Sequence, residues 1–164
     1  MLVAYMVVLH VGPQRPNFSG TATAHHHPMK DTDMDRLIDA GDPLAVAATQ
    51  AVQQGDAAQL RQLLTEHPEL AVAAIGTVGP RGMTRTLLHV ATDWPGHYPN
   101  VVATIALLIE AGAEVNARFT GPHTETPLHW AASCDDVDAL DALLDAGAEI
   151  EADGAVHRRW YTAG

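Results

Sequence analysis

The chain has 164 residues and a formal charge of −11, with 47% hydrophobic but only 5% aromatic residues. That length suits a small soluble protein, and the acidic balance argues against nucleic acid or an anionic membrane as partner. Cys134 is the sole cysteine, which excludes an intramolecular disulfide and fits a reducing cytoplasm.

Residues 1–33 show no helical period and contain Gly, Pro, Ser and Thr, so they read as disordered, and 1–41 is taken as an extension outside the folded core. The apolar run Leu2 to Val11 has no Lys or Arg before it, contains His10 and lacks a small-residue cleavage site, unlike a signal peptide. Gly12-Pro13-Gln14-Arg15 ends it well short of the roughly 20 apolar residues a membrane span needs. Left exposed it is a β-prone aggregation hazard. The composition fits an upstream extension whose real start is Met29 or Met34. His25, His26 and His27 lack a fixed geometry for a metal, and no metal or cofactor is expected.

From Asp42 the pattern becomes helical. Two helices are expected at Pro43 to Gln53 and Asp56 to Glu66, hinged at Gly55, with Ala57, Leu60, Leu63 and Leu64 on one face. This first unit covers 42–75. A second unit, 76–117, opens on Thr86-Leu87-Leu88-His89-Val90-Ala91, continues with Val102, Ile105, Leu108 and Ile109, and closes on Ala111-Gly112-Ala113-Glu114-Val115. A third, 118–152, repeats all three features as Thr126-Pro127-Leu128-His129-Trp130-Ala131, Val137/Leu140/Leu143/Leu144 and Ala146-Gly147-Ala148-Glu149-Ile150. The apolar positions keep the same i, i+3, i+6, i+7 spacing in every unit.

Local chemistry explains the recurring residues without a ligand. Thr126 can cap a helix and Pro127 suits its first position, where an N–H would be unpaired. Gly112 and Gly147 stand where a helix turns out through a positive φ.

Both motif copies resemble the ankyrin repeat, whose period is about 33 residues and whose first helix opens T-P-L-H-x-A. The resemblance implies an all-α solenoid of about three helix-turn-helix repeats. It also implies an atypical first repeat acting as a cap, a binding rather than catalytic role, and a structural task for His89 and His129 in tying neighbouring loops together. The stretch from Leu87 to Ala152 further resembles a bacterial group of ankyrin proteins with an aromatic insertion between the paired helices.

His89 and His129 are 40 positions apart, and the excess over the period falls at 93–100 and 118–125. In Asp93-Trp94-Pro95-Gly96-His97-Tyr98-Pro99-Asn100 the prolines stiffen a loop bearing two large rings. Exposed, the rings are contact candidates; folded down, they seal the core. The candidate contacts are Trp94, His97 and Tyr98, then Arg118, Phe119, His123 and Glu125 in the second excess segment, and Trp130 on a first helix.

Between Leu87 and Ala152 eleven acids face Arg118 alone, a net −10. A basic segment of a partner protein is therefore favoured, while a merely solvated acidic face is the alternative. The tail 153–164 reads as irregular. One permitted codon choice for His157 to Gly164, read one base later, spells Ile-Ala-Gly-Gly-Thr-Pro-Leu, and puts a Thr 14 positions after Gly147, as Thr126 follows Gly112. The hypothesis is a frameshifted tail that has lost later repeats; gene sequencing tests it. The loss would leave the face of Val137, Leu140, Leu143 and Leu144 open to self-association, unless Arg158, Arg159 and Trp160 form a genuine cap.

Enzymatic readings draw little support. His129 already has a motif role, and Asp135 and Asp136 would raise the Cys134 thiol pKa rather than activate it. Asp93 with His97 is the one conceivable acid–base or metal-binding pair, with no oxyanion site or phosphate loop to accompany it. The expected function is a non-catalytic protein-interaction module in the cytoplasm, or the remnant of a longer one. A regulatory or assisting subunit of a metabolic enzyme is the alternative.

Overall fold

The computed structural model describes residues 36–77 and 82–154. The histidine run, Leu2 to Val11 and the tail from residue 155 lie outside them. Three pairs of helices follow one another: α1 (Pro43–Gln54) with α2 (Ala57–Glu66), α3 (Leu87–Ala91) with α4 (Val101–Glu110), and α5 (Pro127–Ser133) with α6 (Val137–Asp145).

Their ends are set by side chains the sequence places there. The Asp42 carboxylate accepts the Leu44 N–H at 2.8 Å, with Pro43 in the first helical position. Asp56 accepts the Gln59 N–H at 2.9 Å to start α2. Gly112 and Gly147 leave their helices at φ 100° and 92° with open space around them, so backbone conformation alone selects glycine.

Small residues let the layers approach. In α1 the buried positions are Ala45, Ala48, Ala51 and Val52, and α1 packs on α3 while α2 packs on α4. Leu60, Leu70, Leu87, Leu88, Ile105, Leu108 and Leu143 are fully buried and form the bulk of one continuous core. Each such side chain is stabilised by about 1.5–3 kcal/mol on leaving water. The third pair stacks on the second through α6 against α4 and α5 against α3.

The expected apolar stripe is corrected at one position. Val102 and Val137 are exposed, and α4 instead buries Val101, Thr104, Ile105 and Leu108, an i, i+3, i+4, i+7 set. One residue is a rotation of about 100°, so the face turned inward is one valine earlier than the motif spacing suggested.

A small sheet adds to the helices. Strands β1 (Leu37–Asp39), β2 (Ala74–Gly76) and β3 (Thr84–Arg85) lie in that order. β1 pairs parallel with β2, Ile38 opposite Ile75, and β2 pairs antiparallel with β3, Gly76 opposite Thr84. Thr84 and Thr120 then exchange both backbone hydrogen bonds at 3.0 Å, linking the segments that precede the first helices of successive repeats. Residues 36–41, assigned above to an unstructured extension, are thus part of the fold. Pairing to β2 orders them, and the Ala40 N–H also reaches Gly76 O at 3.0 Å.

Candidate protein interface

Residues 93–100 form a strap fastened to all three helical pairs. At its start the Asp93 carboxylate is ion-paired with Arg85 and accepts the Trp94 N–H at 2.8 Å. Asp93 O accepts the Gly96 N–H at 2.8 Å, closing a tight turn. Gly96 has φ 74°, and a Cβ there would stand 2.8 Å from Cys134 Cβ, so the strap lies directly on the turn between α5 and α6. The His97 N–H donates to Asp136 Oδ2 at 2.6 Å, and at the far end Asn100 Nδ2 donates to Gly55 O, between α1 and α2, at 2.9 Å.

The two rings of the strap part company. Tyr98 is half-buried, and its hydroxyl donates to Trp94 O at 3.3 Å; burial, then the Asp93 charge, push its pKa up, partly offset by a hydrogen bond with Gln53. Trp94 is 62% exposed. Tyr98 therefore seals while Trp94 faces solvent. The His97 ring is also exposed, with Nδ1 3.9 Å from Asp136 Oδ1.

The segment 118–125 turns most of its chemistry inward. Glu125 O accepts both the Phe119 N–H at 2.9 Å and His89 Nε2 at 3.1 Å. His89 Nδ1 in turn faces the Thr86 N–H at 3.3 Å and Thr86 Oγ1 at 3.0 Å. A carbonyl on one nitrogen and an N–H on the other fix the neutral tautomer with hydrogen on Nε2. Burial, only partly offset by the bond to Glu125 O and reinforced by the Arg85 charge, lowers the His89 pKa from 6.5 to about 4. Phe119 is buried, stacked on His123 at 4.6 Å between centroids and tilted against Trp130 at 5.4 Å. His123 Nδ1 lies 3.2 Å from Glu125 Oε2 without hydrogen-bond alignment. Arg118 is exposed, with Nη1 donating to Thr124 O at 3.2 Å.

Trp130 is half-buried and meets His89 edge to face at 4.9 Å. His129 repeats the local half of the His89 arrangement, its Nδ1 facing the Thr126 N–H at 3.1 Å and Oγ1 at 2.8 Å. Of the expected contacts the structure brings Phe119, His123, Glu125 and Trp130 together, and holds Trp94, His97 and Tyr98 on the strap.

The groups considered for chemistry are committed elsewhere. Asp93 is engaged by Arg85 and the Trp94 N–H while His97 faces Asp136, so the pair shares no contact. Burial, with Asp93 and Asp136 nearby, raises the Cys134 pKa despite a contact with Ser133, and Sγ donates to Thr92 O at 3.6 Å. Among the described residues no group of three or more His, Cys, Asp or Glu is arranged to hold a metal, and no helix is long and apolar enough to cross a membrane.

The family model for ankyrin repeats, three copies, matches residues 44–153. The chain belongs to the ankyrin-repeat family. No curated protein matches it. Ankyrin repeats generally bind other proteins, and the Thr86/His89/Glu125 triad is this array's loop tie. Asp136 and Arg85, which fasten the strap between repeats, escaped the sequence reading. Asp136 was legible as a helix cap, since it precedes Val137 and accepts the Ala139 N–H at 3.2 Å, but not as the anchor of a loop 39 positions away.

Proposed function

We propose that this ankyrin array is a non-catalytic protein-binding module that engages its partner through the strap, with Trp94 as the central contact. The observation that carries the reading is an indole 62% exposed on a loop fastened at Gly55, Arg85 and Asp136. Ordering the loop beforehand removes much of the entropy cost of binding, and a tryptophan supplies large contact area with few rotatable bonds. His97 sits three positions on, also exposed, while Arg118 offers a separate exposed contact in the segment 118–125. The net −10 between Leu87 and Ala152 favours a partner with a basic segment. A reducing cytoplasm is the compartment consistent with a single, hydrogen-bonded thiol.

Affinity capture from native extract, with wild type and Trp94→Ala compared by mass spectrometry, tests this. The expected result is a partner retained by wild type and lost by the variant, both proteins giving the same circular dichroism. An unchanged partner set would remove the strap from the interface.

A further inference from the structure

The second and third repeats offer an internal comparison, because the same positions occur in both with different surroundings. Ile105 of α4 is 1% exposed, while its counterpart Leu140 of α6 is only half-buried. Ile109 and Val115 are half-buried, whereas their counterparts Leu144 and Ile150 are 38% and 72% exposed. The α4 positions have α2 on one side and α6 on the other; α6 packs on α4 and α5. Among the described residues the outer side of α6 therefore keeps an apolar stripe, Val137, Leu140 and Leu144, at i, i+3, i+7.

Beside that stripe runs a second one. Asp138, Asp141 and Asp145 repeat the same spacing one residue on, about 100° around the helix, and all three are exposed. Among the described residues none of the three is held in an ion pair. A second copy of this face laid antiparallel would bring carboxylates against carboxylates, a repulsion that counts against self-association in that pairing.

We propose that the α6 face takes a basic amphipathic helix from a partner protein, its apolar side on Val137, Leu140 and Leu144 and its Lys or Arg border on Asp138, Asp141 and Asp145. This rests on the protein-binding reading above but uses a surface separate from the strap. An i, i+3, i+4, i+7 apolar helix laid on an apolar strip is an established recognition geometry, and flanking charges set its orientation and on-rate.

The probe is a fluorescent 18-residue Leu/Lys helix of that pattern, with a Leu/Glu peptide of the same pattern as control, titrated against the full chain by anisotropy. Micromolar binding of the Leu/Lys peptide alone is expected. Asp138→Asn/Asp141→Asn/Asp145→Asn should weaken it at least tenfold and flatten its salt dependence, while Glu66→Gln/Glu110→Gln/Glu114→Gln, of equal charge change, leaves it within twofold. Leu144→Ser should weaken it at unchanged charge, and gives the reading if the triple aspartate variant loses helicity. Equal weakening by both triple variants would overturn the proposal as general electrostatics. Binding seen only after removal of residues 155–164 would overturn it in favour of the chain's own segment. A dimer in sedimentation that Leu144→Lys disperses would overturn it in favour of a second copy. Trp94→Ala should leave peptide binding unchanged, so failure of the strap reading and failure of this one give different results.

Discussion

The backbone N–H of His97 donates to the carboxylate of Asp136 at 2.6 Å, so the side chain that starts α6 also holds the strap of the preceding repeat. Its other oxygen accepts the Ala139 N–H at 3.2 Å, and the residue is buried. Loss of a helix cap costs about 1 kcal/mol, and a hydrogen bond to a charged group is worth about 1.5–3 kcal/mol. Asp136→Ala is expected to destabilise the protein by about 2–4 kcal/mol in urea unfolding and to speed amide exchange at His97. A change below about 1 kcal/mol would show that the strap is held by its remaining anchors.

The helical pairs were legible because each signal is local: Asp42 and Asp56 before helices, Gly112 and Gly147 after them, and leucines at helical spacing between. What was not legible depended on contacts distant in sequence. Leu37 to Asp39 is too short to show an alternating pattern, and it is a strand only because Ala74–Gly76 offers it partners. Val101 and Val102 are identical in chemistry, so spacing could not say which faces the core; packing buries the first and exposes the second. Within the site, the rings of the strap were visible but not their division of labour. The strap is held by bonds that each pair a side chain with a distant backbone atom, Asn100 with Gly55 O and Asp136 with the His97 N–H, and a backbone atom carries no side-chain signature that would have shown which ring turns outward.

His89 gives the fold a defined acid sensitivity. Its pKa is about 4 in the folded protein against an ordinary 6.5, so the unfolded chain binds the extra proton between those values and stability falls as pH drops. The contribution is complete above pH 6.5, declines between 6.5 and about 4, and totals about 3 kcal/mol at about 1.4 kcal/mol per pH unit. Urea unfolding at pH 7 and pH 4.5 should show wild type losing about 2 kcal/mol more than His89→Gln over that interval. Parallel pH profiles for the two proteins would contradict the buried neutral imidazole.

Trp94 and Phe119 should behave oppositely although both are large aromatic residues. Trp94→Ala removes an exposed ring and is expected to change stability by no more than about 0.5 kcal/mol. Phe119→Ala empties a buried position against His123 and Trp130 and is expected to cost about 3–5 kcal/mol. Thermal unfolding of the two variants side by side distinguishes a contact residue from a packing residue. A large loss of stability for Trp94→Ala would mean that the indole supports the strap.

Ile105 and Leu140 occupy the same place in successive repeats, which turns the openness of the α6 face into a stability measurement. A cavity costs most where surrounding atoms close it on all sides, and Ile105 is 1% exposed with helices on both flanks of α4. Ile105→Ala is therefore expected to cost about 2–5 kcal/mol. Leu140 is half-buried, so water can enter the space its side chain leaves, and Leu140→Ala should cost about half as much. Saturating the Leu/Lys peptide should widen the penalty for Leu140→Ala, because the bound helix covers that position, and leave the Ile105→Ala penalty unchanged. Equal penalties for the two variants without peptide would show that α6 is already covered in the free protein.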